Sequence, residues 1–331
     1  MTTPRRFSPQ RPLRWGMIGC GAVTEKKSAP ALRLAHSSQL LAVYSRTFEK
    51  AQDYARRHQV PRVYASAAAL LQDSDIDAIY IATPPDSHLT YALQVADAGK
   101  ICCVEKPMAL NARECEQMVE AFAQRGLPLF VAYYRRSLPR FQQVKQWLDE
   151  NRIGAVRHVQ WTYCRPPSDW DLTRTPQWRV QPAIAGGGYF MDLACHGLDL
   201  LLHLLGDIAQ VSGFVANQQQ LYPADDAVTA CWQFSSGATG NGFWNFGARQ
   251  RQDEVLIVGS RGEIRFSVFL EQPVRLDSVD ETLQLTIPHP DPIQLQHVEN
   301  ILRHLNGDIE HPSTGVSALR TAQVMDAILG R

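Results

Sequence analysis

The sequence predicts an N-terminal α/β domain built on a doubly wound parallel sheet, followed by an α+β domain with a mostly antiparallel sheet. Three observations carry this expectation. Up to about Ala132, short apolar or β-branched runs alternate with helical stretches, as βαβ units do. Beyond the helix expected at Phe141 to Glu150, the rhythm changes to longer alternating runs. The length of 331 residues, set against domains of about 150, calls for two cores.

In the first half the apolar runs are Arg14 to Ile18, Leu40 to Tyr44, Ala78 to Ala82, Ile101 to Val104 and Leu129 to Ala132. Each is too short for a helix and is bounded by Gly, Pro or polar residues, so each reads as a buried strand. Between them Glu49 to His58 and Ser87 to Ala98 read as helices, the second stopped by Gly99. Asn111 with Glu114 three residues on resembles a capping box opening a further helix, which Gly126 and Pro128 end. In the second half the strands expected are Val156 to Cys164, Ile208 to Val215, Val228 to Phe234, Gly242 to Phe246 and Val255 to Phe269. A hairpin turn at Ser260-Arg261-Gly262-Glu263 divides the last of these. One long helix, Gly188 to Leu205, interrupts the strands, and Ser317 to Leu329 returns to a helical period. The division expected is a flexible tail at 1–12, a first domain at 13–135 and a second at 136–331.

Composition narrows the function. The chain is 45% hydrophobic and 20% charged, enough for packed cores and too little charge for disorder. Lys plus Arg and Asp plus Glu are both 33, so no net field recruits nucleic acid or an anionic membrane. No run approaches the roughly 18–20 apolar residues of a membrane span. The seven cysteines lack CxxC spacing and mostly fall in apolar runs, which fits a reducing cytoplasm. Arg5-Arg6-Phe7 is followed by no apolar h-region.

The first strand runs into Gly19-Cys20-Gly21-Ala22-Val23-Thr24 and then a helix, the order a pyrophosphate site needs. Gly19 permits the tight turn, Gly21 lets backbone approach the phosphates, and the helix N-terminus supplies N–H groups. Thr24 stands where a third glycine is usual. At the end of the second strand no carboxylate is present to hold a ribose 2′-hydroxyl; Ser45 and Arg46 offer a hydroxyl and a guanidinium that suit a 2′-phosphate. NADP(H) is therefore favoured, with NAD(H) the alternative.

Two further segments lie at carboxyl ends of strands, where such sheets bind ligands: Thr83-Pro84-Pro85-Asp86-Ser87-His88 and Glu105-Lys106-Pro107. Held between Glu105 and a proline, Lys106 could donate to a reacting oxygen beside the nicotinamide. In the second domain Gly186-Gly187-Gly188 precedes a helix carrying Asp192, His196, Asp199 and His203 at offsets of four, three and four, which an α-helix would place on one face. Asp192 and His196 read as an acid/base pair, and a structural role fits His203 better. No metal site is expected, because no HExxH pattern appears and hydride transfer needs no ion. Trp170 and Trp178, in the loop before the glycine run, are candidates to stack on a pyranose, and Tyr133 is a third candidate for substrate contact. Trp161, Trp232 and Trp244 read as packing residues.

Taken together, Gly19-Cys20-Gly21, Thr83-Pro84-Pro85 with His88, Ala98-Gly99-Lys100 leading to Glu105-Lys106-Pro107, Trp178-Arg179, and Gly186-Gly187-Gly188 with Asp192 and His196 resemble the Gfo/Idh/MocA oxidoreductase family. The likeness covers the chain after residue 12. It implies a Rossmann domain and a second domain with an open sheet whose outer face mediates oligomerisation, hence a homodimer or homotetramer. It also implies Lys106, Asp192 and His196 as catalytic set. Gly19, Cys20, Gly21, Ala22, Val23, Ser45, Arg46, Thr83, Pro84, His88, Glu105 and Lys106 would hold the cofactor, with Arg179 near cofactor or substrate. The expected reaction moves a hydride between nicotinamide and a sugar, sugar derivative or cyclic polyol. The family also holds non-catalytic cofactor-sensing regulators and glycosidases that use nicotinamide transiently, and both stand as alternatives.

Overall fold

In the computed structural model, which describes residues 11–175 and 177–331, the chain forms two compact units. One comprises the chain up to Ser137 together with Pro290–Leu319, the other Leu138–His289 and Arg320–Arg331. The expected tail falls largely on residues 1–10, outside the described residues. Arg11, also assigned to that tail, is anchored instead: its guanidinium donates to both oxygens of Asp77 at 2.8 Å.

The first unit is built on six parallel strands: β1 (Leu13–Ile18), β2 (Ser38–Tyr44), β3 (Arg62–Tyr64), β4 (Ala78–Ile81), β5 (Ile101–Val104) and β6 (Leu129–Val131). Their spatial order, β3-β2-β1-β4-β5-β6, is that of a doubly wound sheet. The helices between them are α1 (Ala29–Leu34), α2 (Phe48–His58), α3 (Ala67–Gln72), α4 (His88–Asp97) and α5 (Ala112–Gln124). Local chemistry sets their starts: Ser66 accepts from Ala69 N ahead of α3, and Asn111 accepts from Glu114 N ahead of α5. The Glu114 carboxylate reaches back to Leu110 N, one residue before the cap. β3 escapes a hydrophobicity reading because Arg62-Val63-Tyr64 contains a single aliphatic residue.

The helix after the glycine turn is irregular. Residues 24–28 form a π-turn before α1. Pro30, which offers no N–H to the carbonyl of Lys26, explains why the regular ladder is interrupted there.

Residues 290–319, placed in the second domain by the sequence reading, return to the first unit. There α10 (Leu295–Asn306) puts Val298, Ile301 and Leu302 into one apolar cluster with Leu13, Leu32 and Phe130. Ser313 Oγ donates to Val131 O at 2.7 Å, and Phe130 bridges Thr314. These contacts bury an amphipathic helix that would otherwise expose its apolar stripe.

The second unit holds α6 (Pro139–Asp149), β7 (Val156–Cys164), α7 (Asp169–Leu172), α8 (Pro182–Ala185) and α9 (Cys195–Leu205). There follow β8 (Ile208–Ala216), β9 (Ala227–Phe234), β10 (Thr239–Asn245), β11 (Gln252–Gly259), β12 (Gly262–Phe266), β13 (Val274–Ser278) and β14 (Thr282–Leu285). They make an eight-stranded sheet ordered β14-β13-β12-β11-β7-β10-β9-β8, antiparallel except for β10 with β7. The hairpin at Ser260 and Arg261 joins β11 to β12, dividing the run over Val255 to Phe269 where the turn was expected. One face is a packed layer in which Trp161, Trp232 and Trp244 are 0%, 4% and 0% exposed. The other carries Phe214, Thr229, Cys231 and Phe243, all exposed. The last helix, α11 (Gly315–Ile328), ends the chain's regular structure. Among the described residues no helix is long and apolar enough to cross a membrane.

Candidate active site

The parallel register brings the ends of β1, β2, β4 and β5 to one edge of the first sheet, and with them Gly19, Ser45, Thr83 and Glu105. Gly19 has φ of +104°, and a Cβ there would lie 2.7 Å from the carbonyl oxygen of Ala82. Only glycine fits that turn. At Gly21 the nearest protein atom to such a Cβ is 3.9 Å away, so this side of the loop is open, as a close-lying diphosphate requires.

Thr24 does what a third glycine could not. Its hydroxyl donates to Gly21 O at 2.7 Å, its own carbonyl accepts from Tyr54 OH at 2.9 Å, and it is fully buried. The loop is thus tied to both helices that flank it. Cys20 turns its side chain inward at 3% exposure, leaving its backbone for any ligand, while Ala22 is exposed and Val23 half-buried. Ser45 is half-buried and Arg46 exposed at the end of β2. The glycine loop, the open side of Gly21 and this pair together fit a nicotinamide dinucleotide.

Thr83 and Pro84 are half-buried at the end of β4, with Ser87 Oγ lying 2.8 Å from Thr83 Oγ1. His88 is corrected. Expected to touch cofactor, it is 0% exposed, with Nε2 2.8 Å from Thr83 O and Nδ1 3.1 Å from Pro107 O. Burial holds its imidazole below the ordinary pKa. His88 therefore packs between the Thr83 loop and the Lys106-Pro107 loop, its neutral ring donating to a carbonyl of one of them, and has no surface left for a ligand. Glu105 is corrected in the same sense: at 5% exposure its carboxylate faces Tyr80, Gln294 and the Lys106 N–H. Lys106 itself is half-buried and joined to Pro107 by a cis peptide. Tyr133, a substrate candidate, is 2% exposed and offers almost no surface.

Its neighbour Tyr134 was missed. Lys27 Nζ and Arg135 Cζ lie 5.8 and 5.1 Å from its ring centroid. Burial pushes the phenol up, but Arg135, Lys27 and Lys106 outweigh that and draw it below its ordinary value. The ammonium of Lys106 therefore acts in the same neighbourhood as Tyr134.

In the second unit two glycines of the triple run are needed for conformation: Gly186 and Gly188 have φ of +82° and +71°. After them residues 190–194 form a π-turn through Asp192, and α9 begins only at Cys195. The expected single α-helical face is corrected accordingly, since a π-turn shifts Asp192 relative to residues on α9. Asp192 pairs with Arg179, Oδ2 to Nε 3.3 Å, and Arg179 lies 4.4 Å over the ring of Trp178. Asp199, fully buried, accepts from Thr321 Oγ1 at 3.0 Å and is structural.

His196 is placed by a feature the sequence hides. A Cβ on Gly197 would lie 2.2 Å from the Trp161 ring, so α9 rests directly on that indole. Trp161 Nε1 donates to Asp253 Oδ1 at 3.1 Å, and Asp253 also takes Phe269 N at 2.7 Å. Phe269 meets the His196 ring edge-on at 5.9 Å. Trp170 is 57% exposed on α7.

Residues 13–133 match the family described as oxidoreductase family, NAD-binding Rossmann fold, and residues 141–265 match the GFO/IDH/MocA C-terminal domain. Oxidoreductase P35 of Formosa agariphila is 35% identical over 319 residues, covering 96% of this chain and 98% of that protein. The chain belongs to the Gfo/Idh/MocA oxidoreductase family. The trans-1,2-dihydrobenzene-1,2-diol dehydrogenase of Danio rerio, 27% identical, is covered over 81% of its length and covers 85% of this chain. Among solved structures, the WlbA dehydrogenase of Bordetella pertussis, in complex with NADH and UDP-GlcNAcA, superposes with a TM-score of 0.83 at 26% identity, covering 97% of this chain and 96% of that one. Membership in Gfo/Idh/MocA makes this chain an oxidoreductase with a nicotinamide-binding Rossmann domain.

Proposed function

We propose that the chain transfers a hydride between a nicotinamide cofactor, NADP(H) in preference to NAD(H), and a carbon of a sugar, sugar derivative or cyclic polyol. Lys106, Asp192 and His196 form the catalytic set. The observation that carries this reading is the pairing of an open glycine turn at Gly19 and Gly21 with Glu105-Lys106-Pro107 at the same sheet edge. A bound nicotinamide supplies the hydride acceptor or donor.

The chain's own residues supply the rest. In the oxidative direction a ring nitrogen of His196 takes the substrate hydroxyl proton, and the Lys106 ammonium stabilises the negative charge growing on that oxygen. Asp192, held at Arg179, orients substrate and imidazole. Reduction reverses each role. The nucleotide-sugar bound to WlbA supports the substrate class. Since that neighbour holds NADH, the cofactor preference rests on Ser45 and Arg46 alone. The open face of the second sheet is the surface we assign to self-association as a dimer or tetramer.

Paired fluorescence titrations with NADPH and NADH test the preference. NADPH binds more tightly, and Arg46→Ala removes that advantage, about tenfold, because a charge-assisted phosphate contact is lost. Equal or tighter NADH binding would overturn the preference.

A further inference from the structure

On β7 the side chains of Trp161 and Tyr163 share one face of the strand, and the strand period places Arg165, just beyond its end, on that same face. The Arg165 backbone N–H donates to Asn245 O at 3.0 Å, so the chain is still held to β10 there. On this face α9 rests, with Gly197 against the Trp161 ring. Ring contacts run along it without a break. The His196 ring meets Phe269 at 5.9 Å, Phe269 meets Tyr163 at 5.1 Å and Tyr163 meets Phe246 at 6.0 Å. The Arg165 guanidinium lies 5.8 Å from the centroid of that last ring. Burial pushes the Tyr163 phenol up, the charges of Arg165 and Arg251 oppose this, and those of Asp253 and Asp192 reinforce it. Arg165 and Asp192 therefore act on one side chain.

Arg165 is incompletely paired. Its Cζ lies 4.1 Å from the Tyr189 ring centroid, a contact that stabilises the cation without satisfying its N–H donors. Nε is buried and has no hydrogen-bond partner among the described residues. The hydroxyl of Tyr222, a residue 8% exposed that meets the Tyr189 ring edge-on at 5.5 Å, is likewise without one. Asp171 Oδ2 is 3.9 Å from the guanidinium, beyond hydrogen-bond distance. Its two oxygens instead accept from the Ser168 N–H at 2.8 Å, the Ser168 hydroxyl at 2.6 Å and the Tyr189 hydroxyl at 2.8 Å.

We propose that Arg165 is a specificity-determining residue that binds a carboxylate carried by the sugar, so that the substrate is a sugar acid. This rests on the reading of Asp192 and His196 as catalytic groups of a hydride transferase. A carboxylate matches the planar guanidinium through two parallel N–H···O bonds. It also suits the local charge. Asp171 already sets one negative charge beside Arg165, and a phosphate dianion would meet greater repulsion there than a carboxylate does. The rings of Tyr189 and Phe246 keep water from part of the guanidinium, which strengthens its pairing with an anion.

Calorimetric titration tests this without nicotinamide, so that no turnover intervenes. The ligands are D-glucuronate, D-galacturonate and D-mannuronate, each beside its neutral hexose and the corresponding hexose phosphate. At least one uronate binds about tenfold more tightly than both counterparts, and Arg165→Met removes that advantage. Methionine keeps an unbranched stem against Tyr189, and the unfolding midpoint checks the fold. Should that variant not fold, Arg165→Lys decides, because it keeps the charge and loses the fork: weakened uronate binding supports the inference and unchanged binding overturns it. No preference for a uronate over its neutral hexose, tighter binding of the phosphate, or a preference that survives in Arg165→Met would each overturn it. If uronates bind with the expected preference, yet none is oxidised or reduced with either nicotinamide, the hydride-transfer reading fails while the carboxylate site stands.

Discussion

At the scale of single residues the site depends on atoms that are absent. Gly19 and Gly197 matter because a methyl at either would meet Ala82 O at 2.7 Å or the Trp161 ring at 2.2 Å. Gly19 was legible, since strand, glycine turn and helix announce a φ that only glycine takes freely. Gly197 was not, because nothing near it in sequence indicates an indole from β7 against the helix. Gly19→Ala is expected to lower stability by ~1–3 kcal/mol, and to abolish measurable NADPH binding; chemical denaturation and fluorescence titration check the two effects. Wild-type affinity in that variant would show that the turn does not shape the cofactor loop. Asp199 illustrates the opposite error. Its spacing set it on the helical face expected for Asp192 and His196, but its carboxylate accepts from Thr321, and only the tertiary structure reveals that.

At the scale of elements, strands and helices with strong periodicity were readable, and those whose identity depends on a distant partner were not. β1, β2, β4, β5 and β6 follow the apolar runs closely. α10 carries an amphipathic pattern that the sequence reading passed over, and the unit it packs against could not be inferred from order along the chain. Its burial creates a pH dependence. His311 is 2% exposed and pushed down to about 4 by burial, with His304 and Arg136 adding to the effect against the carbonyls of His297 and Ser313. His297 is fully buried and held well below its ordinary value by burial and by His311. Each imidazole binds a proton more readily when unfolded, so the stability they contribute is complete above about pH 6.5 and is lost as pH falls towards 4. For His311 alone the loss is about 3 kcal/mol. Urea unfolding across that range should show the decline, and His311→Asn should flatten it; an equally steep decline in the variant would contradict the assignment.

At the scale of the whole molecule, the fold class was legible because two rhythms of hydrophobicity divide the chain. The second sheet's strand order and the destination of residues 290–319 were not, because both follow from long-range pairing. The open face of that sheet sets Phe214 and Phe243 on either side of Thr229, with Cys231 close by on β9. Phe214 is 80% exposed and Phe243 42%, an apolar pair that a lone protomer would leave to water. Phe214→Glu with Phe243→Glu should therefore shift the sedimenting species toward monomer, and a wild-type protein that already sediments as a monomer would remove the role assigned to this face.

The central claim is that Lys106 and His196 carry out chemistry on a hydroxyl or carbonyl carbon of a polyhydroxylated substrate. The most direct test follows nicotinamide absorbance over a panel of sugars, sugar acids and cyclic polyols, in both directions, with the wild-type protein, Lys106→Met and His196→Ala. The account predicts turnover with at least one panel member, a fall of about 100-fold or more in each variant, and NADPH binding within about threefold of wild type in His196→Ala. Near-normal turnover in both variants would contradict it.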